Sequence, residues 1–166
     1  MKQTSPSTVL VVGLGNPDCG DDGVGPLVVR KLTGLLPPDV AVALPGGDVP
    51  TLITQWADFD SVICIDAAAF VTTPGRIHRS GGAGSDFARA RPATSSHMLG
   101  LGDAIELSRM LGQAPRNIIV FAVEGACFAV GAPMAPQVAA AADEVASRVV
   151  AEVARLRARS GDSPSA

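Results

Sequence analysis

The chain has 166 residues, a formal net charge of -3, 47% hydrophobic residues, no tyrosine and one tryptophan. That length implies a single domain able to bury a sizeable core, and the acidic balance with few stacking rings excludes a nucleic-acid footprint. Three cysteines without a CxxC pair exclude a disulfide framework and imply reduced thiols, and no run reaches the roughly 18 apolar residues of a membrane span.

Residues 1–7 read as a flexible tail with one lysine, followed by an apolar run too short for a secretory signal, so a cytoplasmic location is expected. Val9-Leu10-Val11-Val12 then reads as a buried strand, and Val24, Leu27, Val28 and Leu32 mark one face of a helix. Between them, Gly13-Leu14-Gly15 invites a dinucleotide-binding reading, but Asp18 stands where the fingerprint needs its third glycine. Asp18, Asp21 and Asp22 place negative charge where a phosphate would sit. Helix capping is the simplest account of Asp21 and Asp22; a bound cation is the functional one. Cys19, in the same loop, makes a poor nucleophile because neighbouring carboxylates raise a thiol pKa.

The first helix is expected to stop near Gly34, before Pro37 and Pro38, and residues 40–44 alternate as a second strand. Pro45-Gly46-Gly47-Asp48 turns the chain, with Asp48 capping a short helix to about Ala57 whose core anchor is Trp56. Val62-Ile63-Cys64-Ile65 reads as a central parallel strand ending at Asp66, an acid that either caps the next segment or carries chemistry. Gly75-Arg76-Ile77-His78-Arg79 reads as a short strand on which His78 is a surface residue. Residues 80–96, rich in Gly, Ala, Ser, Arg and Pro, read as a long, mobile loop of a length that is often functional in compact domains.

That loop delivers Ser95-Ser96-His97 to a helix marked by Leu99, Leu101, Ile105, Leu107 and Leu111. In the first turn the helix dipole favours a neutral, ligand-competent His97; a solvent-exposed histidine without a function is the equally simple account. Residues 117–123 form the clearest strand, ended by Glu124-Gly125, and a long Ala-rich helix runs from Met134 to about Arg159. Cys64 and Cys127, beside apolar runs, read as small core residues. Residues 8–159 make one domain and residues 160–166 a disordered tail.

Strands alternating with helices imply a three-layer α/β/α domain around a twisted, mostly parallel sheet of about five strands, with sites at the strands' carboxyl ends. Asp22, Asp66 and His97 occupy such ends or helix starts. Two carboxylates and one imidazole form a mixed donor set for a divalent transition ion.

The same residues carry a family resemblance. Gly13-Leu14-Gly15-Asn16, Gly20-Asp21-Asp22-Gly23-Val24-Gly25-Pro26, Ile65-Asp66-Ala67, Ser96-His97-Met98-Leu99-Gly100-Leu101, residues 120–125 and residues 134–138 together resemble the hydrogenase maturation endopeptidases. The resemblance implies an enzyme that removes a C-terminal extension from a nickel-iron hydrogenase large-subunit precursor after nickel insertion. It also implies that Asp22 (where many members have Glu), Asp66 and His97 recognise the metal and form the catalytic site. No firmly bound cofactor is expected: nickel arrives in the substrate, and another divalent metal can occupy the isolated protein. The partner is that precursor, with no nucleic acid or membrane, and the protein is expected to be a monomer.

Two departures stand out. Pro45-Gly46-Gly47 replaces a frequent Asp-Gly-Gly, and Gly125 replaces a frequent proline after Glu124. The competing readings are a nucleotide-binding oxidoreductase of doubly wound fold and a non-catalytic nickel chaperone of the same fold. No Ser-His-Asp or Cys-His arrangement and no HExxH helix names the group that activates water.

Overall fold

A computed structural model of the chain describes residues 8–45, 49–69, 72–82 and 96–161. The apolar runs become strands of one five-stranded sheet: β1 (Val9–Gly13), β2 (Ala41–Ala43), β3 (Ser61–Ala69), β4 (Ile77–Gly81) and β5 (Asn117–Gly125), in the order β2-β1-β3-β5-β4. β1 runs parallel to β2 and β3, and β3 runs parallel to β5. β4 is antiparallel to β5 and stands at the edge.

Side chains alternate across a pleated strand, so each central strand supplies two cores. On one face Val9, Val11, Ile63, Ile65, Ile119 and Phe121 pack against α1 (Val24–Lys31) and α4 (Pro136–Gly161). On the other, Leu10, Val12, Cys64 and Val120 meet Leu52 and Trp56 of α2 (Val49–Trp56) and Leu101 and Ile105 of α3 (Ser96–Met110). The result is the expected three-layer α/β/α arrangement. Trp56 is fully buried, as an anchor should be.

Element boundaries move where local signals compete with pairing. β3 does not stop at Asp66: it continues through three alanines to Ala69, because β5 offers a partner at every step up to Ala69↔Gly125. Alanine has little intrinsic strand preference, so here the neighbouring strand decides. α1 ends at Lys31, before Gly34, and α4 opens on Pro136, a residue suited to a first helical position, and reaches Gly161. The tails at 1–7 and 162–166, the turn at 46–48 with its proposed cap Asp48, and most of the predicted long loop, at 83–95, lie outside the described residues.

The start of α1 lies directly on the sheet. A Cβ at Gly25 would sit 2.2 Å from the carbonyl oxygen of Leu14 and 2.7 Å from that of Ile65. Only glycine permits this approach, which aligns α1 with the ends of β1 and β3. Gly25→Ala is therefore expected to cost about 3 kcal/mol of stability in chemical denaturation, as overpacking against backbone does. Gly102→Ala, inside α3 where an added Cβ meets nothing within 4 Å, is expected to gain about 0.5–1 kcal/mol.

Candidate functional site

Strand order reverses between β1 and β3: the chain leaves β1 toward β2 and leaves β3 toward β5. Outside the carboxyl ends of strands at such a switch point lies the crevice where open α/β sheets bind ligands. After β1 the chain makes a 3-10 turn, Gly20–Gly23, which carries Asp21 and Asp22, both buried.

The two adjacent acids have different tasks. Asp21 accepts backbone N–H groups of Ala126 (2.7 Å) and Cys127 (3.1 Å) on one oxygen and of Ala135 (2.7 Å) on the other. Its own N–H donates to the Cys127 carbonyl at 2.9 Å, and Gly131 N–H donates to the Asp18 carbonyl at 2.7 Å. Asp21 thus ties the acidic loop to the loop between β5 and α4. The residues at the two N-cap positions, Cys19 and Gly23, make no side-chain capping bond, and the oxygens of Asp21 are committed to the loop between β5 and α4, so for Asp21 the capping account is replaced.

Asp22 points back toward the end of β1, where its Oδ2 accepts Asn16 N–H at 2.8 Å. Asp66 is the first residue of β3 beyond its pairing with β1, which ends at Gly13↔Ile65. Its Oδ1 accepts Ala67 N–H at 2.8 Å, and its buried Oδ2 has no hydrogen-bond partner among the described residues. Burial, opposed by that one bond and reinforced by the Asp22 charge, pushes the Asp66 carboxyl up to about 7. Asp22 and Asp66 are therefore close enough to interact at one sheet edge. A cation between them would offset a charge that is otherwise costly to bury.

His97 is the second residue of α3, and its side chain lies outside the described residues. The helix ends shortly before β5, whose first residue, Asn117, donates its N–H to the Asp60 carbonyl at the amino edge of the sheet. Leu101, Ala104 and Ile105 hold α3 against the sheet. Among the described residues no three His, Cys, Asp or Glu side chains form a metal cluster.

Two features escaped the sequence reading. His78 is not merely a surface histidine: its Nε2 lies 2.6 Å from Oε1 of the buried Glu124, whose Oε2 accepts the N–H groups of Thr72 and Thr73. His78 lies opposite Ala122, which lies opposite Asp66, and this antiparallel register leaves no trace in the sequence. Cys127 is exposed in the β5 to α4 loop, contrary to the core assignment, because the strand ends before it. Cys64 is buried as expected, and burial together with Asp66 pushes its thiol far up.

These observations define an α/β protein with a pair of buried acids at the switch point. They argue against a dinucleotide binder, whose pyrophosphate would face Asp22. Comparison with known proteins gives the family. The sequence model of the HycI family, described as hydrogenase maturation protease, matches residues 26–152. The E. coli hydrogenase maturating endopeptidase HybD superposes with a TM-score of 0.78 at 25% identity, over 89% of this chain and 93% of that one. The [NiFe] hydrogenase maturation protease HybD from Thermococcus kodakarensis shares the fold with a TM-score of 0.72 at 22% identity, over 88% and 99% of the two chains. No curated protein matches the chain. The chain belongs to the hydrogenase maturation protease family, and it is a peptidase.

Asp21→Ala is expected to destabilise the protein by about 3 kcal/mol in denaturant titrations, because three backbone donors lose a charged acceptor, and Asp21→Asn is expected to cost less. Asp66 generates a pH signature. Between its ordinary value of 3.8 and about 7 the folded protein retains a proton that the unfolded chain has released. That contribution is complete below the lower value and disappears as pH rises through the higher one. Metal-free protein should therefore lose stability relative to Asp66→Asn across this window, with a constant difference at higher pH, as read from thermal midpoints of both proteins.

Proposed function

We propose that this protein is the endopeptidase that removes the C-terminal extension from a nickel-iron hydrogenase large-subunit precursor after nickel has been inserted, and that Asp22, Asp66 and His97 recognise the nickel carried by that precursor. The observation that carries the metal role is the paired burial of Asp22 and Asp66, with an Asp66 oxygen lacking a hydrogen-bond partner among the described residues. Carboxylate oxygens and an imidazole nitrogen suit such an ion. Membership of the protease family supports the endopeptidase reading over both the oxidoreductase and the chaperone.

In this reading the nickel is part of the substrate. The three side chains hold it and thereby position the scissile peptide bond for hydrolysis, a use of binding energy for orientation. Asp22 is braced by Asn16 N–H and Asp66 by Ala67 N–H, so the acids need little reordering when the precursor docks. The shorter Asp22, where many members have Glu, keeps the oxygen ligand. The proposed enzyme acts as a monomer in the cytoplasm, and among the described residues no helix is long and apolar enough to cross a membrane.

Digestion of nickel-loaded and nickel-free precursor side by side tests the proposal. The loaded form should be cut and the empty form should persist, because only the loaded form brings compensating charge to the two acids. Equal cleavage of both would remove metal recognition from Asp22, Asp66 and His97. His97→Ala should abolish processing with little change in thermal midpoint. A parallel loss of folding would make the histidine structural.

A further inference from the structure

The loop after β5 presents six consecutive exposed residues, 126–131, reading Ala-Cys-Phe-Ala-Val-Gly. Phe128 is 38% exposed and Val130 is 85% exposed, and no charged residue occurs from Gly125 to Ala142. A continuous exposed apolar run is unfavourable in water unless something covers it. Its backbone is not loose: Asp21 holds both ends of the loop, Gly131 donates to Asp18, and Ala132 donates to Ala129 at 3.1 Å. The side chains are thus displayed on a rigid frame, in which a partner loses little entropy on ordering them.

The frame is continuous with the acid site. Asp21, which anchors the loop, adjoins Asp22, and the Phe128 ring lies over Gly125. A Cβ at Gly125 would sit 2.7 Å from Asp21 Cβ and 3.0 Å from the ring. The Phe128 ring therefore stands beside the acidic loop that carries Asp22, and Val130 precedes Gly131, which is hydrogen-bonded to Asp18 of the same loop.

We infer that residues 126–131 form a substrate-docking surface that takes an uncharged, apolar segment of the precursor beside the scissile bond. This inference rests on the proposed precursor-cleaving function and adds a second point of recognition to the metal. The acids read the cation and the loop reads the adjoining chain. An acidic segment would lose its hydration against this uncharged loop and meet the exposed Asp18 beside it, so the surface also selects against acidic chains.

Val130→Asp tests the surface without touching the acids or the core. On nickel-loaded precursor it should raise KM about tenfold or more, leave kcat at saturation unchanged and leave the thermal midpoint at the native value. Val130→Leu should behave like the native protein. Replacing the apolar precursor residues beside the cleavage site with serine should raise KM for the native enzyme and add little for Val130→Asp, as expected of two halves of one contact. A native KM for Val130→Asp, or fully additive effects, would overturn the inference. So would concentration-dependent self-association of the native protein that Val130→Asp abolishes with KM unchanged, since the loop would then belong to a second copy of this chain. If the native protein leaves the precursor uncut, the proposed function fails, but calorimetric titration of intact precursor still reads the loop. Weaker binding by Val130→Asp would support the surface, and equal binding would remove it.

Discussion

A buried carboxylate that accepts three backbone hydrogen bonds holds the working edge of this protein together. Asp21 is inaccessible to solvent, yet its charge is compensated by N–H groups of Ala126, Cys127 and Ala135. Hydrogen bonds to a charged acceptor are each worth about 1.5–3 kcal/mol, and their loss also leaves donors unsatisfied. The acidic loop after β1 and the loop after β5 are far apart in the chain but act as one unit. Where Asp22 points and how the apolar loop is displayed both depend on that link.

The neighbouring acids show how two identical side chains acquire different roles. Asp21 spends its oxygens on the protein's own backbone. Asp66 receives one backbone donor and shares its edge with Asp22, so its charge remains incompletely compensated and its proton is held up to about 7. An incoming cation changes the energetics of the second kind of site far more than those of the first. The proposed metal recognition rests on that difference in hydrogen bonding, not on the number of acids.

The same edge joins unlike surfaces. Buried acids suit a metal, and the uncharged run over residues 126–131 suits an apolar chain. Gly25 brings α1 onto β1 and β3, and the absent side chain at Gly125 lets Phe128 lie against the Asp21 anchor. Both glycines act through close approach. The glycines that first suggest a nucleotide loop serve packing in a protein whose adjacent charge repels phosphate.

The sequence by itself determined the alternating strands and helices, the two-sided sheet and Trp56 as an anchor, because period-two and helical apolar patterns reflect local burial. Its motifs, through resemblance, also pointed to the family and singled out Asp22, Asp66 and His97. Tertiary structure alone decided what the individual polar atoms do. Nothing near Asp21 in the chain reveals that its acceptors face donors more than a hundred residues away, and nothing near Asp66 reveals that β5 carries the strand past it. His78 meets Glu124 only because β4 turns antiparallel to β5, and Cys127 emerges only because β5 ends before it. Apolar periodicity is written into neighbouring residues, whereas hydrogen-bond partnership, strand register and desolvation arise only when distant segments meet.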